Sequence, residues 1–234
     1  MEQVARPSPS SLPGLWPPLQ ACAEETRARL VAASAGTQLT TGERVLTAGE
    51  IPDRIVVFSE GVLRVFHAAS PEREFTVKLL RAPVAVGLVE VITGNPWAGS
   101  VETLTPAAAV ELPAWALRAE FGRDASLVRA LLSNLAMLFE GTIRSNRHLG
   151  FDDCETRLLR VLLEYADHFG RASAGGTLVR FPLSLERLAR EVGVTRRSID
   201  RAMAGLTKAG LIGRNLKGWL VLKDPVAARQ RVGT

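Results

Sequence analysis

The sequence has few of the residues that build metal and redox sites. Its 234 residues include two cysteines, Cys22 and Cys154, and three histidines, His67, His148 and His168. Two thiols cannot form a disulfide framework, and they fall short of the four ligands of a structural zinc site or an iron–sulfur cluster. The histidines lie near predicted strand and helix ends, where we interpret them as surface or capping residues. We therefore expect no metal, no cofactor and reduced thiols in a cytoplasmic protein.

Long apolar runs are also missing. No stretch approaches the roughly 18 apolar residues of a membrane helix. The uncharged segment at residues 7–23 contains five prolines, a density that prevents the helical core of a signal peptide. We expect residues 1–12 to form a disordered tail and the protein to have no membrane partner.

Catalytic motifs are lacking as well. The sequence contains no nucleophile–base set, no cluster of metal ligands and no glycine-rich phosphate loop. Cys154 near His148 is the only Cys–His proximity, and a thiol switch there is an alternative that the sequence leaves open. We predict that the protein is not an enzyme and has no catalytic residues.

Positive charge is unevenly distributed along the chain. The formal net charge is +5, but residues 1–151 hold 14 basic and 15 acidic residues, while residues 152–234 hold 15 basic and 9 acidic. From Arg180 onward there are 12 basic and 4 acidic residues. Such asymmetry predicts a polyanion-binding module joined to a near-neutral one.

Short runs rich in β-branched residues dominate residues 45–112. Gly, Pro, Asp or Ser separates consecutive runs, as at Gly42, Pro52 and Gly61. Many short strands at this spacing are typical of an antiparallel sandwich or barrel, and a short helix at residues 19–33 precedes them. The predicted strands are Val45–Leu46, Ile55–Phe58, Val62–Phe66, Phe75–Leu80, Val84–Val86, Val101–Leu104 and Ala108–Leu112.

The pattern becomes helical after Pro113, and one of the predicted helices carries a heptad seam. Residues recur at alternating steps of three and four behind Asp124, which we predict as the N-cap. One interpretation is an amphipathic helix packed on the barrel, and the other is a two-helix dimer seam; the period alone fits both. The seam residues are Val128, Leu131, Leu135, Leu138, Thr142 and Ser145.

The strongest motif lies near the C-terminus. A capping-box-like start at Asp152 predicts one helix, and the Gly170–Thr177 segment after it is predicted to be a loop. Ser184 then caps a short predicted helix, Gly193 supplies a turn, and Thr195 caps a longer helix over residues 196–208. A short helix, a tight turn with glycine and a longer helix are typical of a helix-turn-helix.

The longer helix presents its polar side chains at the end that would enter DNA. A recognition helix enters the major groove N-terminus first, and arginine pairs bidentately with guanine. Strands at 211–214 and 219–222 predict a wing whose basic residues lie along phosphates. A solvated basic helix face is the alternative, but the cap, the turn, the wing and the charge excess together favour DNA binding. The predicted DNA-binding residues are Thr195, Arg196, Arg197, Ser198, Arg201, Arg214 and Lys217.

The chain resembles the CRP/FNR family of bacterial transcription regulators over residues 12–228. The resemblance rests on LSLERLAREVGVTRRSIDRAMAGLTKAGLI at residues 183–212, and TTGERVLTAGEIPDR and EGVLRV at residues 40–54 and 60–65 support it. The resemblance implies an α+β fold. Its parts would be the tail at 1–12, a β-roll (jelly-roll, cyclic-nucleotide-binding-like) effector domain at 13–123, a dimerisation helix at 124–149, and a winged helix-turn-helix domain at 150–234.

The resemblance also implies a homodimer on double-stranded DNA. A two-fold dimer binds a near-palindromic operator whose half-sites lie roughly one helical turn apart. Arg196 and Arg201 match the family's base- and phosphate-contacting arginines, and Thr195 matches its small hydroxyl residue. Arg197 stands where many members have a glutamate that accepts from cytosine, so the half-site should differ. The Gly170–Thr177 segment looks like the surface that relatives offer to RNA polymerase, a further expected partner.

The effector cassette departs from the family. Members that bind cyclic nucleotides have Gly-Glu and, after a spacer, Arg-Ser/Thr-Ala, whose arginine pairs with the phosphate. Here Leu88 follows Gly87, Trp97 stands where that arginine is expected, and no basic residue lies between Arg81 and Arg118. A phosphate buried without a guanidinium is poorly compensated. We predict no binding of cyclic AMP or cyclic GMP in the family's manner. Trp97 either offers a stacking platform to a different ligand or, as we favour, fills the vacated pocket.

These observations together predict a dimeric DNA-binding transcription regulator whose effector is unknown. One alternative is a regulator controlled by a non-nucleotide ligand or a thiol switch. Another is a sensor or interaction protein that does not bind DNA, although the arginines at positions 196, 197 and 201 argue against it.

Overall fold

The computed structural model describes residues 4–70, 73–146, 152–179, 184–215 and 218–233. The chain divides into two compact units, Met1–His67 with Lys78–Arg144 and Ala68–Val77 with Ser145–Thr234. The domain boundary predicted at residues 149 and 150 lies outside the described residues. No helix in the described ranges is both long enough and apolar enough to cross a membrane.

Two four-stranded sheets form the framework of the first unit, and two of their strands extend into the 68–77 segment that is grouped with the second unit. Their strands are β1 (Ala35–Leu39), β2 (Arg44–Leu46), β3 (Arg54–Glu60), β4 (Val62–Ser70), β5 (Arg73–Arg81), β6 (Val84–Val86), β7 (Ser100–Thr103) and β8 (Ala107–Pro113). One sheet has the order β1-β8-β3-β6 and the other β2-β7-β4-β5. The pairs are antiparallel where the register is defined, as for Val57 opposite Val110. The seven predicted runs all become strands, and β1 is an addition.

Helices precede, interrupt and follow these strands. They are α1 (Leu12–Leu15), α2 (Glu24–Ala33), α3 (Leu88–Thr93), α4 (Ala114–Glu120) and α5 (Ala125–Asn146), with 3-10 turns at Pro9–Ser11 and Pro17–Gln20. α1, α3 and α4 contact β3. Residues 55–58 of β3 are consecutively buried, so both of its faces are covered. The central strand therefore has no polar alternation, as expected for a strand with packing on each side.

The N-terminal segment differs from the disordered tail predicted for residues 1–12. Leu12 is fully buried and belongs to the same core as Trp16 and Leu19, and the Gln38 side-chain amide donates to the Val4 carbonyl. Prolines at the first positions of short helical turns are pre-organised for that geometry, so they order this segment here. The helix predicted from residue 19 begins only at Glu24, because a separate 3-10 turn ends at Gln20.

From residue 152 onward, the described part of the second unit contains four helices and one small sheet. Its described elements are α6 (Cys154–Phe169), β9 (Gly170–Ser173), β10 (Gly176–Val179), α7 (Leu185–Val192), α8 (Arg196–Lys208), β11 (Ile212–Arg214), β12 (Leu220–Leu222) and α9 (Pro225–Val232). The sheet is antiparallel with the order β11-β12-β10-β9. α6 contacts α7, α8 and α9, and four of its leucines are buried. These leucines are Leu158, Leu159, Leu162 and Leu163.

The loop predicted at Gly170–Thr177 is wrong, because this segment forms the β9–β10 hairpin. Thr177 pairs with Ala172 on one side and with Leu222 of β12 on the other. Gly176 has a φ of 120°, and an added Cβ there would lie 2.1 Å from the Leu222 carbonyl oxygen. Glycine is therefore required by the close approach of β12, and the hairpin is held by a strand far away in sequence.

Candidate nucleic-acid interface

α7 and α8 form a capped helix-turn-helix, as the sequence predicts. The Ser184 hydroxyl accepts from the Arg187 backbone N–H at 3.1 Å and begins α7. Gly193 ends that helix in the left-handed region, with φ of 71°. The Thr195 hydroxyl accepts from the Ser198 backbone N–H at 3.3 Å and begins α8. Each cap satisfies a backbone donor that the helix itself leaves free.

The buried face of α8 fixes which side chains point outward. Ile199, Ala202 and Leu206 are buried, and α8 packs on α6 and α7. Met203, four residues after Ile199 and so on the same side of the helix, is half-buried. Because successive residues are about 100° apart on a helix, the polar residues between these positions point away from the core.

Three arginines are exposed in the first two turns of α8, at the end predicted to approach DNA. Arg196, Arg197 and Arg201 all belong to this exposed set. Neither Arg197 nor Arg201 makes an ion pair with any residue that the structure describes. Both guanidinium groups are therefore available to a polyanion.

Arg196 differs from the other two arginines because two carboxylates hold it. Its Nη1 group donates to Glu186 Oε1 of α7, and its Nε donates to Asp200 Oδ1 at 3.2 Å. Sequence reasoning missed both partners. The Asp200 contact could have been found, since residues four apart on a helix are neighbours. The Glu186 contact depends on how α7 and α8 are arranged.

Thr195 and Ser198 are engaged within the cap of α8. Their two hydroxyl oxygens lie 3.0 Å apart, within hydrogen-bond distance. Thr195 is exposed and Ser198 is half-buried. The structure thus brings five of the predicted DNA-binding residues together at one helix end: the capping Thr195, the Ser198 that contacts it, and three arginines.

The predicted wing is an antiparallel hairpin of β11 and β12. Asn215 closes it, because its backbone N–H donates to the Trp219 carbonyl at 2.9 Å and its side-chain oxygen accepts from the Trp219 N–H at 3.0 Å. Arg214 is exposed and donates to the Gly218 carbonyl at 2.6 Å. Lys217, the other predicted wing contact, lies outside the described residues.

Cys154 sits beneath the recognition helix without the features of a reactive thiol. Its sulfur lies 3.8 Å from the Ser198 carbonyl oxygen. Burial raises the pKa of the Cys154 thiol, which disfavours the thiolate that redox chemistry uses. His148 lies outside the described residues and His67 is exposed. Within the described part of the chain, no group of three potential ligands could hold a metal ion.

Trp97 lies in the effector cassette, the segment of the first unit whose sequence departs from the family pattern. Its side chain is 5% exposed, and an added Cβ on Gly87 would lie 2.8 Å from its ring. Gly87 has φ of 93° at the start of α3, which favours glycine. The backbone around Trp97 is fixed by two 2.9 Å hydrogen bonds, from Trp97 N–H to the Glu50 carbonyl and from Gly49 N–H to the Trp97 carbonyl. The indole thus packs directly on the cassette glycine.

The apolar residues of α5 divide between two faces. Leu131 is 2% exposed and packs with Leu127 in the core of its own unit. Leu131 is therefore already covered within its own unit, and the dimer seam stays a prediction. Leu138 is exposed, while Val128 and Leu135 are half-buried. Of Thr142 and Ser145, the structure describes only the helical backbone.

A second, exposed apolar face lies beside the predicted seam. Leu132, Phe139 and Ile143 are 62%, 66% and 51% exposed, and their spacing of seven and four places them on one side of the helix. The heptad pattern alone could not separate this exposed face from the neighbouring buried one, because Leu131 and Leu132 are adjacent and equally apolar.

The chain matches two family models in tandem. The cyclic nucleotide-binding domain matches residues 37–124, and the Crp-like helix-turn-helix domain matches residues 156–229. This order places a sensor-type β-domain before a DNA-binding domain, as in the structure. The chain belongs to the CRP/FNR family of transcription regulators.

Relatives and solved structures extend over most of the chain. It is 26% identical to a CRP-like cAMP-activated global transcriptional regulator of Mycobacterium tuberculosis, over 81% of this chain and 84% of that protein. It is 24% identical to a global nitrogen regulator of Synechococcus elongatus, over 83% and 88%. The structure of the c-di-GMP responsive global regulator CLP of Xanthomonas campestris superposes with a TM-score of 0.69 at 22% identity, over 86% and 100% of the two chains. These relatives are transcription regulators.

Proposed function

We propose that this protein is a homodimeric regulator that binds a near-palindromic DNA operator through α8 and the wing. The exposed cluster of Arg196, Arg197 and Arg201 at the N-terminal end of a capped recognition helix carries the proposal. Arginine forks match guanine in the major groove, while Arg214 and Lys217 of the wing suit phosphates. A cytoplasmic location follows from this role.

Dimerisation is proposed through the exposed face of α5. Leu132, Phe139 and Ile143 form an apolar stripe at coiled-coil spacing, bordered by Val128 and Leu135. Pairing of this stripe across a two-fold axis presents two copies of α8 to one duplex, with half-sites roughly one helical turn apart. Leu131 supports the same helix from within its own unit.

We further propose that cyclic AMP does not control this protein in the manner of its cAMP-activated relative. Trp97 packs where the family's phosphate-binding arginine is expected, and Leu88 replaces the expected glutamate. A buried cyclic phosphate would meet an indole instead of a guanidinium, and such a charge is strongly disfavoured. The regulator is then either competent without an effector or controlled by a ligand of different chemistry. The β9–β10 hairpin is the surface proposed for RNA polymerase.

Selection of bound duplexes from a random pool, with the full-length protein and no added effector, tests the proposal. We expect an enriched near-palindrome. Arg196→Ala should lose about 1–3 kcal/mol of binding and relax the preference at one base pair of each half-site. Lys208→Ala, at the opposite end of α8, is the matched control and should retain the selected site.

The same operator then tests the effector proposal. Added cyclic AMP should leave the affinity for the selected duplex unchanged. Failure to enrich any sequence would contradict operator binding, and a several-fold gain in affinity with cyclic AMP would contradict the role assigned to Trp97.

A further inference from the structure

Arg196 is the only one of the three exposed recognition-helix arginines that is paired with carboxylates of the described residues. Glu186 comes from the first turn of α7, and Asp200 lies one turn further along α8. All three side chains are about half-exposed: 46% for Arg196, 59% for Glu186 and 51% for Asp200. Two negative charges therefore face one positive charge at the end of the helix that approaches DNA.

The two carboxylates engage both edges of the guanidinium group. An arginine can present two bidentate edges, one that includes Nε and one that includes Nη1. Asp200 accepts from Nε at 3.2 Å, and Glu186 accepts from Nη1. Bidentate contact with guanine O6 and N7 on either edge therefore competes with an existing charge-assisted hydrogen bond.

We propose that Glu186 and Asp200 act as an internal competitor for Arg196 and so set sequence specificity; this inference rests on the proposed DNA-binding function. On non-cognate DNA, Arg196 stays with its carboxylates, because a solvated phosphate offers no better partner. At a cognate guanine, the groove offers a bidentate acceptor, and Arg196 exchanges partners. Glu186 and Asp200 are thus specificity-determining positioning residues that weaken non-specific binding more than operator binding.

The test compares the selected operator with a scrambled duplex of equal length, using the full-length protein. Glu186→Gln keeps the side-chain shape and removes the charge. It should lower the ratio of operator to scrambled affinity by about 2–5-fold per protomer, the size of an exposed ion pair. Once freed, Arg196 should also contact a phosphate on scrambled DNA. The plot of log affinity for scrambled DNA against log salt concentration should then steepen by about one unit of slope per protomer. Asp200→Asn should act in the same direction.

Two controls separate this role from a general change of charge. Asp167→Asn removes an exposed carboxylate of α6 that pairs with Arg229 at 2.5 Å, and it should move neither the ratio nor the slope. In an Arg196→Ala background, Glu186→Gln should no longer steepen the salt dependence on scrambled DNA. Circular dichroism melting verifies that each variant is folded.

The outcomes distinguish this proposal from the function on which it rests. If the wild-type protein selects no duplex, the proposed function fails, and this proposal fails with it. If an operator is bound but Glu186→Gln leaves the ratio and the slope unchanged, only the internal competitor is refuted. Steepening that persists without Arg196 also refutes it, because the effect would then come from charge alone.

Discussion

At the residue scale, the Asp124 carboxylate joins two segments of the first unit that are far apart in sequence. It accepts hydrogen bonds from the Ala23 backbone N–H at 2.8 Å, from the Ser126 hydroxyl at 2.5 Å and from the Leu127 N–H at 3.1 Å. The Ser126 hydroxyl and then the Ala23 N–H hold the pKa of Asp124 well below its usual range. Each of these donors favours the charged carboxylate.

This lowered pKa makes the stability of the first unit sensitive to acid. A group with a depressed pKa in the folded state stabilises the fold above its unfolded pKa, which for aspartate is about 4, and that stability is lost as pH falls further. We expect the midpoint of urea unfolding to fall as the pH is lowered through and below that value. Asp124→Asn should be less stable at neutral pH and should lose less on acidification.

Ser126→Ala provides the matched comparison for this acid dependence. It removes one hydrogen-bond donor and leaves the carboxylate. The stability that this variant loses on acidification should therefore lie between the losses of the wild type and of Asp124→Asn. Urea titrations followed by tryptophan fluorescence at several pH values measure all three. An acid decline of equal size in wild type and Asp124→Asn would show that other carboxylates cause it.

Local contacts at the residue scale were predictable, and contacts between helices were not. The caps Asp124, Ser184 and Thr195 follow from sequence, because an N-cap bonds a backbone N–H within three residues. The pairing of Glu186 with Arg196 joins residues ten positions apart across a turn. It requires the relative orientation of two helices, which no local pattern contains.

At the element scale, α5 combines two apolar faces with different partners. Leu131 fills the core of its own unit, while Leu132 on the next step is exposed. A period of three and four identifies the helix and its general orientation but allows either face to be the seam. Leu131 belongs to the core of its own unit, so its side chain is already covered there. The proposed dimer stripe therefore uses Leu132 in place of Leu131 at this turn.

Substitutions on the buried face of α5 should lower stability, whereas substitutions on its exposed face should change the oligomeric state. Leu131→Ala leaves a cavity and should reduce the free energy of unfolding by about 2–5 kcal/mol. Leu132→Glu and Phe139→Glu place charge in the proposed dimer stripe and should yield monomers with a native circular dichroism spectrum. Light scattering coupled to size-exclusion chromatography measures the oligomeric state.

Met137→Glu is the matched control for these substitutions. Met137 is 64% exposed on the same helix, but it lies about 140° around the axis from Leu132. The Met137→Glu protein should therefore remain dimeric. Monomers produced equally by Met137→Glu would argue against a specific stripe, and a dimeric Phe139→Glu protein would place the interface elsewhere.

Sequence patterns did not predict β1, β9 and β10, because these strands form by pairing with strands that are distant in sequence. β9 and β10 contain Gly, Ala and Ser, which favour a loop locally. They form a hairpin because β12 pairs with β10, through Thr177 opposite Leu222. β1 is similar, since its Ala-Gly-Thr-Gln run becomes a strand by pairing along β8. In both cases the partner strand supplies what the propensity lacks.

At the scale of the whole molecule, the two parts of the chain differ in net charge. The near-neutral first part suits a β-domain with an apolar core, and the basic excess from residue 180 onward suits a polyanion. A dimer doubles this excess on one duplex. The carboxylates around Arg196 reduce the free positive charge at the helix end, so we expect the remaining phosphate attraction to depend on Arg197, Arg201 and the wing.

The affinity for DNA should therefore fall steeply with salt, and the wing should account for part of the slope. A protein that makes about 6–10 phosphate contacts loses about 10³–10⁵ in affinity between roughly 50 and 200 mM salt. Arg214→Ala should weaken operator and scrambled duplexes alike and reduce the slope by about 2 in the dimer, because each protomer then neutralises one phosphate fewer. Lys208→Ala, exposed at the far end of α8, should leave the slope unchanged. Fluorescence anisotropy at increasing salt measures both variants. An Arg214→Ala protein that kept its full slope but lost sequence preference would move this arginine from the phosphates to a base edge.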